Sequence, residues 1–361
     1  MPASWRAKFT PLSVAVDARD LAHDHRGLGR YARALLRRFV KRDELDITLV
    51  VRRPLPWITK RSLTRVLGGA DFELAANISN AHALAWHPWN GVFLHGGRTD
   101  VCTIADLAPF RFPAADPVRR AHQQGPFMTA VGRASRLITF SQSSKRDLVA
   151  LLGAAEESVV VTYLGVDDAF RPGGDRQAPL QGQRYFFFVG DPAEPRKNFG
   201  LLYRAFRRAW PRDDGPVLAV RSPEDPKLER VVHLGLDAED VAGTENARLR
   251  SFYQGALATV VPSLYEGFGM PVIESMACGT PVLAARASSL PEVAGEAALL
   301  KDPEDERAWT ESLQRLADDC SLRTTLRELG LQNARRFSWE TCAEQTQRIF
   351  EEAAMNGRSI P

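Results

Sequence analysis

The strongest constraint on how this chain folds is an alternation that recurs along most of its length. A short apolar, β-branched run gives way to a turn and then to an amphipathic helical pattern, which leads into another apolar run. "LSVAVDA" (12–18) reads as a buried strand, "GRYARALLRRFV" (29–40) as an amphipathic helix and "DITLVV" (46–51) as the next strand. Strands joined through a helix run parallel, so the pattern dictates an α/β fold with helices covering a parallel sheet. The rhythm continues through "DVCTIADL", a helix around "MTAVGRAS", the strand "RLITFS", the helical "SSKRDLVALLG" and the strand "SVVVTYLGV". It breaks at "DDAFRPGGDRQAPLQGQ" (167–183), which is rich in Gly, Pro and polar residues, carries no period and reads as a linker. A second series follows: "RYFFFVG", a helix from Phe199, "PVLAVRS", "LERVVHLGL", "DVAGT", "ARLRSFYQGA", "LATVVPS", a helix after Met270, and "TPVLAA". From about Glu304 the pattern is helical and ends in the amphipathic "SWETCAEQTQRIFEEAA", with Ser338 placed to cap it.

Composition excludes several classes. With 361 residues, 44% hydrophobic and 25% charged, the chain has the make-up of a globular protein with room for two cores. A net charge of +3, spread without a basic tract, gives no case for nucleic acid. Cys102, Cys278, Cys320 and Cys342 form no C-x-x-C pair, so they read as small core residues of a protein kept in a reducing compartment. No run approaches the roughly 20 apolar residues of a membrane span, and "MPASWRAKFTPLS" lacks the apolar core of a signal peptide, so the expected location is cytoplasmic.

Three stretches could carry chemistry. "GLGRYA" (27–32) matches the dinucleotide fingerprint G-x-G-x-x-G/A, with Arg52 and Arg53 after the next strand, but the first strand ends near Ala18. The fingerprint requires its first glycine at the strand end, so a glycine loop over a cleft is the better reading. The neighbouring His23, Asp24 and His25 lack further ligands at matched spacing and read as a solvated loop. "FVGDPAEPRKN" (188–198) delivers Arg196 and Lys197 from a strand end just before a helix. "SLYEGFGMPVIES" (263–275) places Glu266 and Glu274 around a Gly-Phe-Gly turn that enters a helix with proline in its first turn. Helix-start amides favour an anion, and glycines admit it close to the backbone, so this turn suits a phosphate. A diphosphate near two glutamates needs counter-charges, and Arg196 and Lys197, at a strand end of the same proposed domain, are the obvious ones.

Those motifs, with "SSLPEVAGEAALLKDP", "VAVDAR…RGLGRYARALL", "TIADLAPFRFP", "YLGVDDAFRP" and "FSWETCAEQT", resemble the family 4 retaining glycosyltransferases of the GT-B fold over nearly the whole chain. They look most similar to the bacterial mannosyltransferase-like branch that builds surface polysaccharides. The paired glutamates, with seven residues between them around "GFGMP", carry most of the specificity. The resemblance implies two Rossmann-like doubly wound domains facing a central cleft: an N-terminal, acceptor-side domain over 1–170 and a C-terminal nucleotide-sugar domain over 184–337. A helix over 338–361 is expected to pack back toward the first domain.

By the same resemblance, Glu274 accepts hydrogen bonds from the ribose hydroxyls, and Glu266 orients the donor sugar and steadies positive charge at its anomeric carbon. The amides of Gly267, Phe268, Gly269 and Met270 hold the sugar and distal phosphate. Arg196 and Lys197 neutralise the departing diphosphate, and Gly27 and Gly29 close over it. Asp106 joins the donor-binding set. No cofactor is implied, and the lack of an Asp-x-Asp motif fits a family that uses these cations in place of a metal. The implied reaction moves a hexose, mannose or a 6-deoxyhexose, from a nucleotide diphosphate sugar to a glycan or lipid-linked acceptor. The basic and apolar stretch 51–69 reads first as a solvated helix face and, with a lipid-linked acceptor, alternatively as a peripheral contact with the inner face of an anionic membrane.

Two positions depart from the family pattern. Relatives often carry an arginine directly after "FVG", where this chain has Asp191, which leaves the role to Arg196. Where the family has His-Asp, this chain has Ala105-Asp106. The missing histidine normally meets the donor sugar near its C6 hydroxyl, so the alanine points either to a 6-deoxy donor or to an impaired, nucleotide-sugar-binding homologue.

Overall fold

The computed structural model describes residues 10–24, 26–51, 56–173, 180, 182–212, 214–235 and 244–357. Arg52, Arg53, His25 and most of "DVAGT" lie outside them. The chain divides into two units. One comprises the residues up to Phe140 with Ser144–Tyr163 and the part beginning at Trp339; the other comprises Ser141–Ser143 and Leu164–Ser338.

The first unit is built on seven parallel strands: β1 (Leu12–Asp17), β2 (Leu45–Val50), β3 (Glu73–Ala75), β4 (Leu84–His87), β5 (Asp100–Thr103), β6 (Arg136–Thr139) and β7 (Val159–Val161). Their order, β3-β2-β1-β4-β5-β6-β7, reverses direction between β1 and β4, as in a doubly wound sheet. The helix Gly27–Phe39 begins two residues before the expected start, so Gly27 and Gly29 are first-turn residues and not a free loop. The reason is steric: a Cβ on Gly29 would lie 1.8 Å from the Asp24 carbonyl oxygen, so only glycine lets the preceding loop fold onto the helix. Asp24 itself is engaged by Arg26 through its backbone amide at 2.7 Å and its guanidinium at 3.2 Å. The helix Trp339–Gly357 belongs to this unit. Phe350 packs against Phe39 and Trp86 at 5.6 and 5.5 Å between ring centres, and Arg42 bonds Gln347 at 2.7 Å. In the helix Pro56–Val66, Leu63 is buried, as is Leu67 just beyond it, and Lys60 pairs with Asp71 at 3.5 Å.

The second unit carries six parallel strands: β8 (Tyr185–Val189), β9 (Val217–Arg221), β10 (Val231–His233), β11 (Ala258–Val261), β12 (Val282–Ala285) and β13 (Leu299–Lys301). Their order is β10-β9-β8-β11-β12-β13, so direction reverses between β8 and β11, the strands that end at the Arg196 and Glu266 loops. β8 and β11 are almost wholly buried, which explains their continuous apolar runs. Leu164–Phe170 belongs here and not with the first unit, because Phe170 is buried with its ring edge-on to Tyr253 at 5.9 Å.

Cys102, Cys278 and Cys342 are buried, and burial pushes their thiols up, Cys342 to about 12. Cys320, expected in the core, is exposed where the helix Cys320–Ala334 begins. No described helix is long and apolar enough to cross a membrane.

Candidate active site

The site of the second unit is assembled where β8 and β11 end, at the switch point of the sheet. After β8 the chain makes a short turn of 3-10 helix, Pro195–Lys197, and then starts the helix Phe199–Ala209 through Asn198. Asn198 has φ +52°, a left-handed conformation that asparagine tolerates better than most residues. Its side-chain amide donates to the carbonyls of Pro262 at 3.2 Å and Pro303 at 2.9 Å, which pins the basic turn to the end of β11. Leu264 reinforces the join by donating its backbone amide to the Arg196 carbonyl at 2.8 Å.

The two cations therefore meet Glu266. Lys197 Nζ donates to Glu266 Oε1 at 2.7 Å and Arg196 Nη1 to Oε2 at 3.2 Å, while the Ser263 hydroxyl donates to Oε1 at 2.8 Å. Arg196 also reaches Glu194 at 2.5 Å and the Tyr265 carbonyl at 3.3 Å. Glu266 is only 8% exposed. Burial alone would raise its carboxyl, but Lys197, Arg196 and Ser263 outweigh that and hold it below the usual range. It is held as an ionised carboxylate by Lys197 and Arg196, the latter shared with Glu194.

Gly267 and Phe268 lead to Gly269, at φ +100°, which forms the N-terminal boundary of the helix Met270–Ala277. That backbone conformation favours glycine, and a Cβ there would also lie 2.8 Å from Leu290 Cδ2, which would have to shift. No side chain caps this helix, which leaves its first-turn amides suited to an anionic ligand. Two hydroxyls that the sequence reading did not single out shape the turn. Ser288 and Ser289 donate to the Glu266 carbonyl at 2.7 and 2.9 Å, and Ser289 also lies 2.9 Å from the Phe268 carbonyl. They fall within "SSLPEVAG", the only signal in the sequence that could have found them.

Glu274 lies one turn into that helix, 2% exposed. Its carboxylate Oε2 accepts a 2.8 Å hydrogen bond from the Tyr253 hydroxyl. Arg196, Lys197 and Glu266 are thus brought together, with Gly267–Met270 continuous with them and Glu274 beyond on the same helix. Gly27, Gly29 and Asp106 lie in the other unit. There Asp106 Oδ1 accepts from the Ala108 amide at 2.8 Å, and Ala105 bonds through its backbone to Asn90 Oδ1 at 2.7 Å and to the Ser144 hydroxyl at 3.2 Å. Asp191 accepts the Ala193 amide at 2.9 Å.

Comparison with known proteins bears on this geometry. Residues 183–319 match the family model described as glycosyl transferases group 1. The chain is 29% identical over 281 residues to O-antigen chain mannosyltransferase B of Escherichia coli, covering 74% of each chain. It is 32% identical over 305 residues to D-inositol 3-phosphate glycosyltransferase of Salinispora tropica, covering 76% of this chain but 62% of that relative. In fold it is similar to sucrose-phosphate synthase of Thermosynechococcus elongatus, with TM-score 0.70, 19% identity and coverage of 94% and 98%. It is also similar to Anabaena HepE, solved in complex with UDP and glucose, with TM-score 0.69, 14% identity and coverage of 94% and 100%. The protein has the two-domain GT-B architecture, and the residues that match the group 1 glycosyl transferase model, 183–319, hold Arg196, Lys197, Glu266 and Glu274.

Proposed function

We propose that the protein is a retaining glycosyltransferase that moves a hexose, mannose or a 6-deoxyhexose, from a nucleotide diphosphate sugar to a glycan or lipid-linked acceptor in surface polysaccharide synthesis. The observation that carries this reading is the buried cluster of Glu266, Lys197 and Arg196 beside an uncapped helix start. When the bond between the anomeric carbon and the distal phosphate breaks, its electrons go to the diphosphate and positive charge grows on the sugar. In this reading Arg196 and Lys197 stabilise the first and Glu266 the second, and burial of the cluster strengthens such fixed charges. The amides from Gly267 to Met270 receive the distal phosphate, and Glu274 the ribose. The two cations supply the positive charge for which other transferases use a metal, so the reaction is proposed to be metal-independent. The proposed setting is the cytoplasmic side of the membrane.

A second reading, a nucleotide-sugar-binding homologue without turnover, is favoured by Ala105, whose methyl group cannot replace a histidine donor. Incubation with UDP- and GDP-hexoses together with a polysaccharide or lipid-linked saccharide fraction, whose hydroxyl takes the sugar, separates the two. The transferase releases nucleoside diphosphate, and Arg196→Ala lowers that rate by more than it weakens binding. Thermal stabilisation by a nucleotide sugar with no release over hours would overturn the transferase reading in favour of the binder.

A further inference from the structure

Beyond the charged cluster, the structure ties Glu274 to one residue that no motif contains. Tyr253 lies on the helix Thr244–Gly255, and its hydroxyl donates to Glu274 Oε2 at 2.8 Å. Both residues are buried, Tyr253 fully and Glu274 to 2% exposure. Tyr253 has little room to move. Its ring meets Phe187 edge-on at 5.2 Å and 77°, and Phe170 at 5.9 Å and 75°. Its carbonyl accepts the Thr280 hydroxyl at 2.7 Å, tying it to the loop that follows the Glu274 helix. A hydroxyl fixed on this side decides where one carboxylate oxygen sits. A carboxylate oxygen has two lone pairs, so holding this bond does not by itself prevent Oε2 from accepting another.

We infer that Tyr253 is a positioning residue for nucleotide recognition: it orients the Glu274 carboxylate so that it accepts both ribose hydroxyls. This rests on the proposed role of Glu274 and adds a residue to it. A long carboxylate side chain has free torsions, and ordering them on binding costs affinity; a preset orientation removes that cost. A further consequence is that Phe170, whose ring meets Tyr253, acts on the nucleotide site through it.

The test is isothermal titration of wild type and Tyr253→Phe with UDP, GDP and their 2′-deoxy and 3′-deoxy forms, alongside thermal unfolding. Hydrogen bonds to a charged acceptor are strong enough that wild type should bind the deoxy forms about tenfold or more weakly. In Tyr253→Phe that discrimination should fall to about threefold or less, while transfer with saturating donor keeps its kcat and the donor KM rises. Phe170→Leu, which loosens one ring neighbour and keeps the hydroxyl, should give an intermediate loss, so the question is answered even if Tyr253→Phe folds poorly. Undiminished discrimination in both variants would overturn the inference and leave the transferase reading standing. Failure of wild type to bind any nucleoside diphosphate, ADP and CDP included, would overturn that reading as well.

Discussion

Replacing Lys197 with methionine tests the charged cluster by subtraction. Lys197 and Glu266 approach to 2.7 Å, with 13% and 10% of their side-chain surface exposed. Removing one partner of a buried ion pair costs about 3–5 kcal/mol. Here Glu266 keeps Arg196 at 3.2 Å and Ser263 at 2.8 Å, so the loss should be smaller, about 2 kcal/mol. In a unit of this size that lowers the unfolding midpoint by roughly 4–8 °C. The pH dependence gives the sharper signature. A carboxyl held below its ordinary value contributes stability that is complete above the unfolded-chain pKa and disappears as the pH falls through the folded one. Without Lys197 the carboxyl titrates higher, so the variant's deficit is full near pH 7 and shrinks as the pH approaches about 4. Thermal unfolding followed by circular dichroism across that range measures it. A deficit that stays constant with pH, or none at all, would refute the ionised pair.

Other consequences follow from the same geometry and the family resemblance. Glu274→Ala should weaken nucleoside diphosphate binding by about 1.5–3 kcal/mol, read by titration calorimetry; unchanged affinity would remove the ribose assignment. Transfer should survive EDTA, and its loss on chelation with recovery on adding manganese would contradict the role given to Arg196 and Lys197. With a panel of GDP-linked hexoses and 6-deoxyhexoses, wild type should prefer the 6-deoxy donor and Ala105→His should shift the ratio toward the 6-hydroxyl sugar. An unchanged ratio means that Ala105 does not select the donor.

The fold was legible where residue type and period agreed. β8 and β11, with their runs of Phe and Val, and the amphipathic helices Gly27–Phe39 and Phe199–Ala209 show this. β4 was not: "LAWH" is fully buried between β1 and β5, yet it is four residues long, has no β-branched side chain and is followed by proline. Phe170 was hidden for a related reason, since one anchoring ring does not alter the polar character of residues 167–183. In the site, the charges announced themselves, because two cations and two carboxylates at strand ends require partners. The uncharged residues that place them did not. Tyr253 meets Glu274 across 21 residues and Ser289 meets Glu266 across 23, and only the packing of the second unit brings them together. Asn198 is intermediate: its tolerance of a left-handed backbone is readable, but its bonds to Pro262 and Pro303 are not.

The most direct test of the central claim is the anomeric configuration of transferred sugar. A donor labelled with carbon-13 at C1, supplied as GDP-α-mannose or the corresponding 6-deoxy sugar with a polysaccharide or lipid-linked saccharide fraction, reports it through the one-bond C1–H1 coupling in the product NMR spectrum. The account predicts an α-linked product that appears together with nucleoside diphosphate in wild type and is lost in Glu266→Gln. A β-linked product, or an α-linked one formed equally well by Glu266→Gln, would contradict it.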